Sequence, residues 1–434
     1  MNKRTSGELK VGLLGLGVVG GGVATHLIGH VDSIEKQLGA RIGIAKILVR
    51  DLSKKRGDTI PYSLLTTNPD ELLHSSQVDI IVEVMGGEQP ACAYISEAIK
   101  SGKHVVTANK EVMAKFGPDL LELAQQNQVS LLFEASVGGA IPIIGNLSND
   151  LIANRVRSIR GIINGTSNYI LTRMSQDHAE FRKALEEAQQ QGYAESDPTN
   201  DVEGIDAVYK LSIISSLAFH TNVNPNDIYR EGITQLQTQD FRYADELGYA
   251  IKSLGIASLN GPSIQARVHP ALLPKEHMLA KVDGVYNAVE VAGDLCGEVL
   301  FHGLGAGKEP TTSAVLGDLF GVIRRLYRSE PQYRVHAMNS GLSVQSIDDL
   351  ESKYYLRLNV SDQSGVLGQI ARILGEENIS LAEVLQKDTN LVARTAEIVI
   401  TTHPALEVAL QRSLRRISEL EVVHEVSSLL RIEE

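Results

Sequence analysis

The chain reads as an α/β fold with a separate α+β tail, and three observations predict it. Short apolar runs alternate with amphipathic stretches over residues 9 to about 136. Longer helical patterns and alternating strand-like runs fill the middle. After about residue 340 the character changes again, and a new series of strands and helices follows.

Size and composition agree with several packed cores. The 434 residues allow two to four domains, and 43% of them are hydrophobic. A formal net charge of −12 leaves no general basic footprint, which argues against nucleic acid or anionic membrane as a partner. The opening MNKRTSGELKVGLLGLG is basic and then apolar, but glycines break the run, so it does not read as a signal peptide. No stretch approaches the ~20 apolar residues of a membrane span. Cys92 and Cys296 make neither a disulfide framework nor a metal cluster, and a reducing cytoplasm is the expected compartment.

In the first part the strand candidates are 9–14 (LKVGLL), 42–49, 78–84, 104–108 and 129–135. Helix-like segments separate them, including 69–75 and 90–101. Asn68-Pro69 suits the start of the first, with Asn as cap and Pro at the first helical position. Buried runs alternating with helices predict βα units on a parallel sheet. The middle contains helix candidates at 178–191 and 203–219, then strand-like runs such as SIQARVHPALL and NAVEVAG. It reads as an α+β domain inserted before the chain re-enters the first domain near Gly303. In the tail, 354–360, 395–402 and 423–432 read as strands, and 367–379 and 404–417 as helices. A linker precedes them at residues 340–352.

Gly15-Leu16-Gly17-Val18-Val19-Gly20 fits G-x-G-x-x-G directly after the first strand. Glycines let such a turn close and let backbone approach a pyrophosphate at a helix N-terminus. Its place in a βαβ series predicts a Rossmann-type nucleotide-binding domain. No acidic residue stands clearly ~20 positions further on. The second strand instead ends at Arg50-Asp51-Leu52-Ser53-Lys54-Lys55. Arg50 with Lys54 or Lys55 suits a 2′-phosphate, and Asp51 suits a ribose hydroxyl. NADP is the favoured cofactor, with NAD left open, and a plain solvated charged turn is the competing reading.

Asp206 and Lys210 are spaced i, i+4, so they share a helix face. At that spacing such a pair is ordinarily a surface ion pair. Here Ile205, Val208, Leu211, Ile213 and Ile214 surround it, and the acidic, turn-rich stretch 192–201 lies just upstream. Burial beside carboxylates keeps a lysine charged while letting it exchange a proton with a substrate oxygen.

The stretch GYAESDPTNDVEGIDAVYK (192–210) resembles the signature of homoserine dehydrogenases. TANKE (107–111), EASVGGAIPII (134–144), NGTSNYIL (164–171) and GLGAGKEPTTSAVLGD (303–318) agree with it. The resemblance spans about residues 8–330, and the tail from 353 resembles an ACT domain, the βαββαβ, ferredoxin-like module. It implies reversible NAD(P)-dependent hydride transfer between aspartate 4-semialdehyde and homoserine. Lys210 would give and take the proton at the substrate oxygen, with Asp206 orienting the substrate or that lysine. Glu195 would bind the substrate amino group, and Lys110 would lie near both nicotinamide and substrate. Gly192, Gly305 and Gly307 would approach the cofactor, with Gly86, Arg50 and Glu195 also on its side. A sodium ion would be held by Glu134 with Val137, Gly139 and Ile141.

The implied domains are 1–150, re-entered at about 303–330, for the nucleotide; 151–302 for catalysis and dimerisation; and 353–434 for regulation. Threonine is the expected allosteric ligand, and a homodimer or homotetramer the expected assembly. Two alternatives remain. A phosphorylating semialdehyde dehydrogenase would need a thiolate with a nearby base, and neither cysteine has a suggestively spaced His. An amino-acid sensor with an inactive nucleotide domain would not need Lys210, Asp206, Glu195 and Lys110 together.

Overall fold

The computed structural model describes residues 8–56, 59–328, 341–387, 389–390 and 392–434. The expected first domain therefore begins with seven residues, 1–7, outside that set. The last two residues of its re-entry at 303–330, and residue 340 of the expected linker, also lie outside it. The chain forms two compact units. One comprises 1–156, 209–225 and 292–341; the other comprises 157–208, 226–291 and 342–434.

The first unit opens with β1 (Leu9–Leu14), α1 (Val18–Gly29), α2 (Val31–Leu38), β2 (Ile42–Leu48), β3 (Leu65–Thr66), α3 (Asp70–Leu73) and β4 (Ile80–Glu83). It continues with α4 (Ala91–Lys100), β5 (His104–Thr107), α5 (Lys110–Gln126), β6 (Leu131–Leu132) and α6 (Ile143–Gly145). The six strands form one sheet in the order β3-β2-β1-β4-β5-β6, parallel throughout. The order reverses beside β1, at the switch point where such folds bind nucleotides. Val11, Leu13, Ile80 and Val82 are buried in its core, as continuous apolar runs on a doubly covered sheet must be.

Two expected elements are shorter than the apolar pattern suggests. The 129–135 run pairs only at Leu131–Leu132, because a tight turn at Glu134–Ser136 takes over. The 69–75 helix is a single turn, and the Asn68 side chain accepts the Asp70 N–H at 3.0 Å as a cap would.

The middle adds β7 (Val156–Ile162), α7 (Gly165–Gln176), α8 (Phe181–Gln190), α9 (Thr199–Val202) and α10 (Ile205–Phe219). The helix expected from 178 starts at Phe181, since His178 sits in left-handed backbone. There follow β8 (Tyr229–Arg230), α11 (Thr238–Glu246), β9 (Tyr249–Asn260), β10 (Ser263–Pro274) and β11 (Tyr286–Gly293). The chain then re-enters the first unit through β12 (Gly297–Leu304) and α12 (Lys308–Arg328). There Val315, Leu319 and Ile323 join the core of the parallel sheet.

The tail runs β13 (Ser343–Val344), β14 (Glu351–Ser361), α13 (Val366–Glu376), β15 (Leu381–Leu385), β16 (Thr389–Asn390), β17 (Thr395–Thr402), β18 (Ala405–Leu406), α14 (Glu407–Ser418) and β19 (Val423–Ile432). Its main strands lie in the order β19-β14-β17-β15, and α13 and α14 share one core with them through Ile370, Leu374, Leu410 and Ile417. The stretch read as a linker is partly structured, because β13 pairs with β10 at Ser263 and Ile264. β19 also pairs with β10, so the tail sheet continues the sheet of the middle segment.

Candidate active site

The glycine loop has the shape the motif requires. Gly15 is left-handed, with φ +102°. A Cβ on Gly20 would run into the Gly15 carbonyl oxygen, whereas one on Gly17 would meet nothing within 4 Å. One glycine closes the turn and another leaves its outer face open at the first turn of α1. Among the described residues, no side chain caps that helix. The turn after β2 treats its charges unequally. Asp51 Oδ1 accepts the Ser53 N–H and hydroxyl, both at 2.7 Å, and these bonds hold its carboxyl below the usual range. Arg50 is exposed.

Lys110 is placed by a relay that the sequence did not single out. Glu83, fully buried at the end of β4, accepts the Thr107 hydroxyl at 2.5 Å and the Met85 N–H at 2.8 Å. Burial pushes its carboxyl pKa up against these bonds. Thr107 in turn accepts the Asn109 N–H at 3.0 Å. Asn109 caps α5 by accepting the Val112 N–H at 3.2 Å and donates to the Gly87 carbonyl at 2.7 Å. Lys110 is therefore the first residue of a capped helix, and Gly86 (φ +73°) lies in the loop that the same relay holds. Lys115, one turn on, pairs with Glu111 at 2.7 Å and Glu88 at 2.8 Å and sits 5.5 Å from the Tyr209 ring centre. That contact ties α5 to the residue before Lys210.

Asp206 and Lys210 are one turn apart on α10 and only 3% and 8% exposed. The surface ion-pair reading fails on that burial. Asn164 donates to Asp206 at 2.9 Å and to Asp201 at 2.7 Å, while its side-chain oxygen caps α7 by accepting the Ser167 N–H at 2.8 Å. Glu195 is exposed, three residues beyond Gly192, whose φ of +76° would strain a bulkier residue. Glu195 and Asp206 belong to the second unit; Lys110 and Lys210 belong to the first.

Glu134 accepts the N–H groups of Ile144 at 2.8 Å and Gly145 at 2.7 Å, and burial raises its pKa. Its own N–H donates to Asp318, whose carboxyl burial pushes up to about 8. Gly138 and Gly139 are left-handed, and a Cβ on Gly139 would come within 2.6 Å of the Gly305 carbonyl carbon. The 134–141 turn thus lies directly against the 303–307 loop, where Gly307 (φ +115°) precedes α12.

A family model described as homoserine dehydrogenase matches residues 142–320, and its companion, homoserine dehydrogenase NAD binding domain, matches 15–134. A homoserine dehydrogenase of Neisseria gonorrhoeae is 44% identical over 432 residues, covering 98% of each chain. The chain belongs to the homoserine dehydrogenase family. The solved homoserine dehydrogenase of Thiobacillus denitrificans is 42% identical, covers 99% of both chains and superimposes with a TM-score of 0.90. A hyperthermophilic archaeal homoserine dehydrogenase, solved in complex with NADPH, is 25% identical over 75% of this chain, with a TM-score of 0.63. As a homoserine dehydrogenase, the chain is an NAD(P)-dependent oxidoreductase acting on the aspartate 4-semialdehyde/homoserine pair.

The phosphorylating alternative has no chemical support in this homoserine dehydrogenase fold. Both cysteines are half-buried, and burial raises the Cys92 thiol pKa, the reverse of what activates a nucleophile.

Proposed function

We propose that Lys210 transfers the proton at the substrate oxygen and that Asp206 orients it. Oxidation of homoserine leaves an aldehyde once the carbon has lost hydride and the hydroxyl its proton. A nicotinamide cofactor held by the glycine loop would supply the hydride acceptor for this direction and the donor for the reverse one. Lys210 Nζ receives the hydroxyl proton as a neutral amine and, as the ammonium so formed, gives it back to the aldehyde oxygen on reduction. The burial of this lysine one turn from an aspartate is the observation that carries the reading. Glu195 binds the substrate ammonium. Lys110, at the start of α5, faces both cofactor and substrate. The test is turnover of the Lys210→Ala chain.

The cofactor is held by 15–20, with Gly86, Gly192, Glu195, Gly305 and Gly307 approaching it. NADP is favoured over NAD because the Asp51 carboxylate is engaged by Ser53, while Arg50 remains exposed for a 2′-phosphate. The NADPH complex of the archaeal relative supports the same preference.

A sodium ion fits Glu134 with the carbonyls of Val137, Gly139 and Ile141. All four donors are oxygens, as a hard cation requires. Each engaged oxygen keeps a second lone pair. The ion would stiffen the turn that touches Gly305.

The tail from 353 is the regulatory ACT domain, binding threonine and weakening catalysis. The turn at 362–367 opens α13, and among the described residues no side chain caps that helix. The chain works in the cytoplasm as a homodimer or homotetramer; no described helix is long and apolar enough to cross a membrane.

A further inference from the structure

Among the described residues of the first unit, Glu83 is the one fully buried carboxylate. It closes β4, at the carboxyl edge of the parallel sheet and one strand from β1. The strand order reverses between these two, so the dinucleotide's two halves fall on either side. The half built on β1 carries the glycine loop. The half built on β4 and β5 therefore faces the nicotinamide end. Lys103 and His104, also buried, lie at the opposite edge of the sheet, where β5 begins.

Every partner of the Glu83 carboxylate brings a hydrogen, and none brings a charge. The Thr107 hydroxyl donates at 2.5 Å and the Met85 N–H at 2.8 Å, and the Gly86 N–H and the Asn109 side chain donate as well. Among the described residues, no lysine, arginine or histidine pairs with it. Neutral donors keep a buried carboxylate ionised, but they leave its charge uncancelled where buried charges are ordinarily paired. These donors belong to two loops, the one after β4 and the corner between β5 and α5. Gly86 and Gly87 in the first are both left-handed, at φ +73°, and a Cβ on either would meet nothing within 4 Å. The loop is thus tied down from within and open without.

We infer that Glu83 is a positioning residue for the nicotinamide end of the cofactor, and that its buried charge favours the oxidised ring over the reduced one. The inference rests on the cofactor reading above. An oxidised nicotinamide ring carries a positive charge that the reduced ring lacks. A fixed negative charge at the base of these two loops attracts the first form and is indifferent to the second. It also answers an opposing field. Lys110 and the N-terminus of α5 are positive and stand at the corner that Glu83 holds. Without Glu83 that corner would repel the oxidised ring; with it, the lysine serves the substrate without expelling the cofactor.

The test uses the full chain without substrate, with NADP⁺ titrated by calorimetry and NADPH by its fluorescence. Glu83→Gln removes the charge. Thr107→Val removes one hydrogen bond to the carboxylate and leaves the charge in place. In Glu83→Gln the Kd of NADP⁺ rises roughly tenfold relative to that of NADPH, the pull of one charge over about 10 Å at an effective dielectric constant of ~20. In Thr107→Val the two constants change alike. Should the Glu83→Gln chain fail to fold, as read by circular dichroism, Glu83→Met takes its place, because it sets no donor against the loop N–H groups. An unchanged ratio of the two constants in the folded neutral variant overturns the inference. So does an equal shift of that ratio in Thr107→Val, which would assign the effect to loop geometry rather than charge. A wild type that binds neither form overturns the cofactor reading itself.

Discussion

The side-chain amide of Asn164 donates to Asp206 at 2.9 Å and to Asp201 at 2.7 Å, so one neutral residue bridges two carboxylates beside the chemistry. Asn164→Asp keeps the oxygen that caps α7 but replaces the bridging donor with a third negative charge. Turnover falls roughly tenfold, the worth of one hydrogen bond to a charged group. Like charges disfavour ionisation, so the acid limb of the pH–rate profile moves up. An unchanged profile in a folded variant would remove Asn164 from the positioning of Asp206.

Glu195→Leu deletes the partner of the substrate ammonium group. Because Glu195 is exposed, the fold tolerates the change, and the loss appears mainly in KM for homoserine. A charge-assisted hydrogen bond contributes on the order of 1.5–3 kcal/mol, so KM rises roughly tenfold or more. Unchanged KM and kcat would place Glu195 outside the site.

His104 gives a pH prediction that concerns stability alone. Burial lowers its pKa to about 4, and its Nδ1 accepts the Ser130 N–H at 3.0 Å. The unfolded chain takes up the proton near the ordinary value of ~6.5. The unfolded state therefore binds more protons between about 6.5 and 4, and stability is lost as pH falls through that window. At pH ~5 this group costs about 2 kcal/mol relative to neutral pH. His104→Asn, which keeps an acceptor, has a smaller difference between urea midpoints at the two pH values. An identical difference in both chains contradicts the assignment.

Arg357 is 2% exposed and bonds Asp240, itself fully buried, at 2.8 Å, with Glu397 at 2.9 Å and Gln237 at 2.8 Å. Removing one member of such a pair leaves a buried charge uncompensated, at about 3–5 kcal/mol. Arg357→Leu should lose stability on that scale, measured by urea unfolding. A chain cut near Ser352 should do worse, since it also strips Arg267 of Glu433, 2.6 Å away. A truncated chain that remained as stable as the full one would show that the tail is only appended.

These charges mark where the sequence stops being legible. Apolar runs announced β1, β2, β4 and β5, because burial on both faces leaves an unbroken hydrophobic signature. The i, i+4 spacing likewise put Asp206 and Lys210 on one face before any coordinate did. Glu83, Asn109 and Asn164 carried no comparable signal. Each acts through partners distant in sequence, such as Thr107 for Glu83 and Asp206 for Asn164. An acid near the end of the apolar run VDIIVEV, and an asparagine immediately before a helix, were the only hints. The linker reading missed β13 because two residues pairing with β10 leave no periodicity to detect.

The most direct measurement of the mechanism is steady-state homoserine oxidation by the Lys210→Ala chain, with cofactor affinity and unfolding measured on the same preparation. Lys210 lies on α10 and is not part of the glycine loop at 15–20, so fold and cofactor binding should survive. General acid–base catalysis is worth ~10²–10⁴-fold, and turnover should fall by that factor with NADP or NAD. Turnover within a few-fold of wild type, in a folded chain that still binds the nicotinamide, would contradict the assignment of the proton step to Lys210.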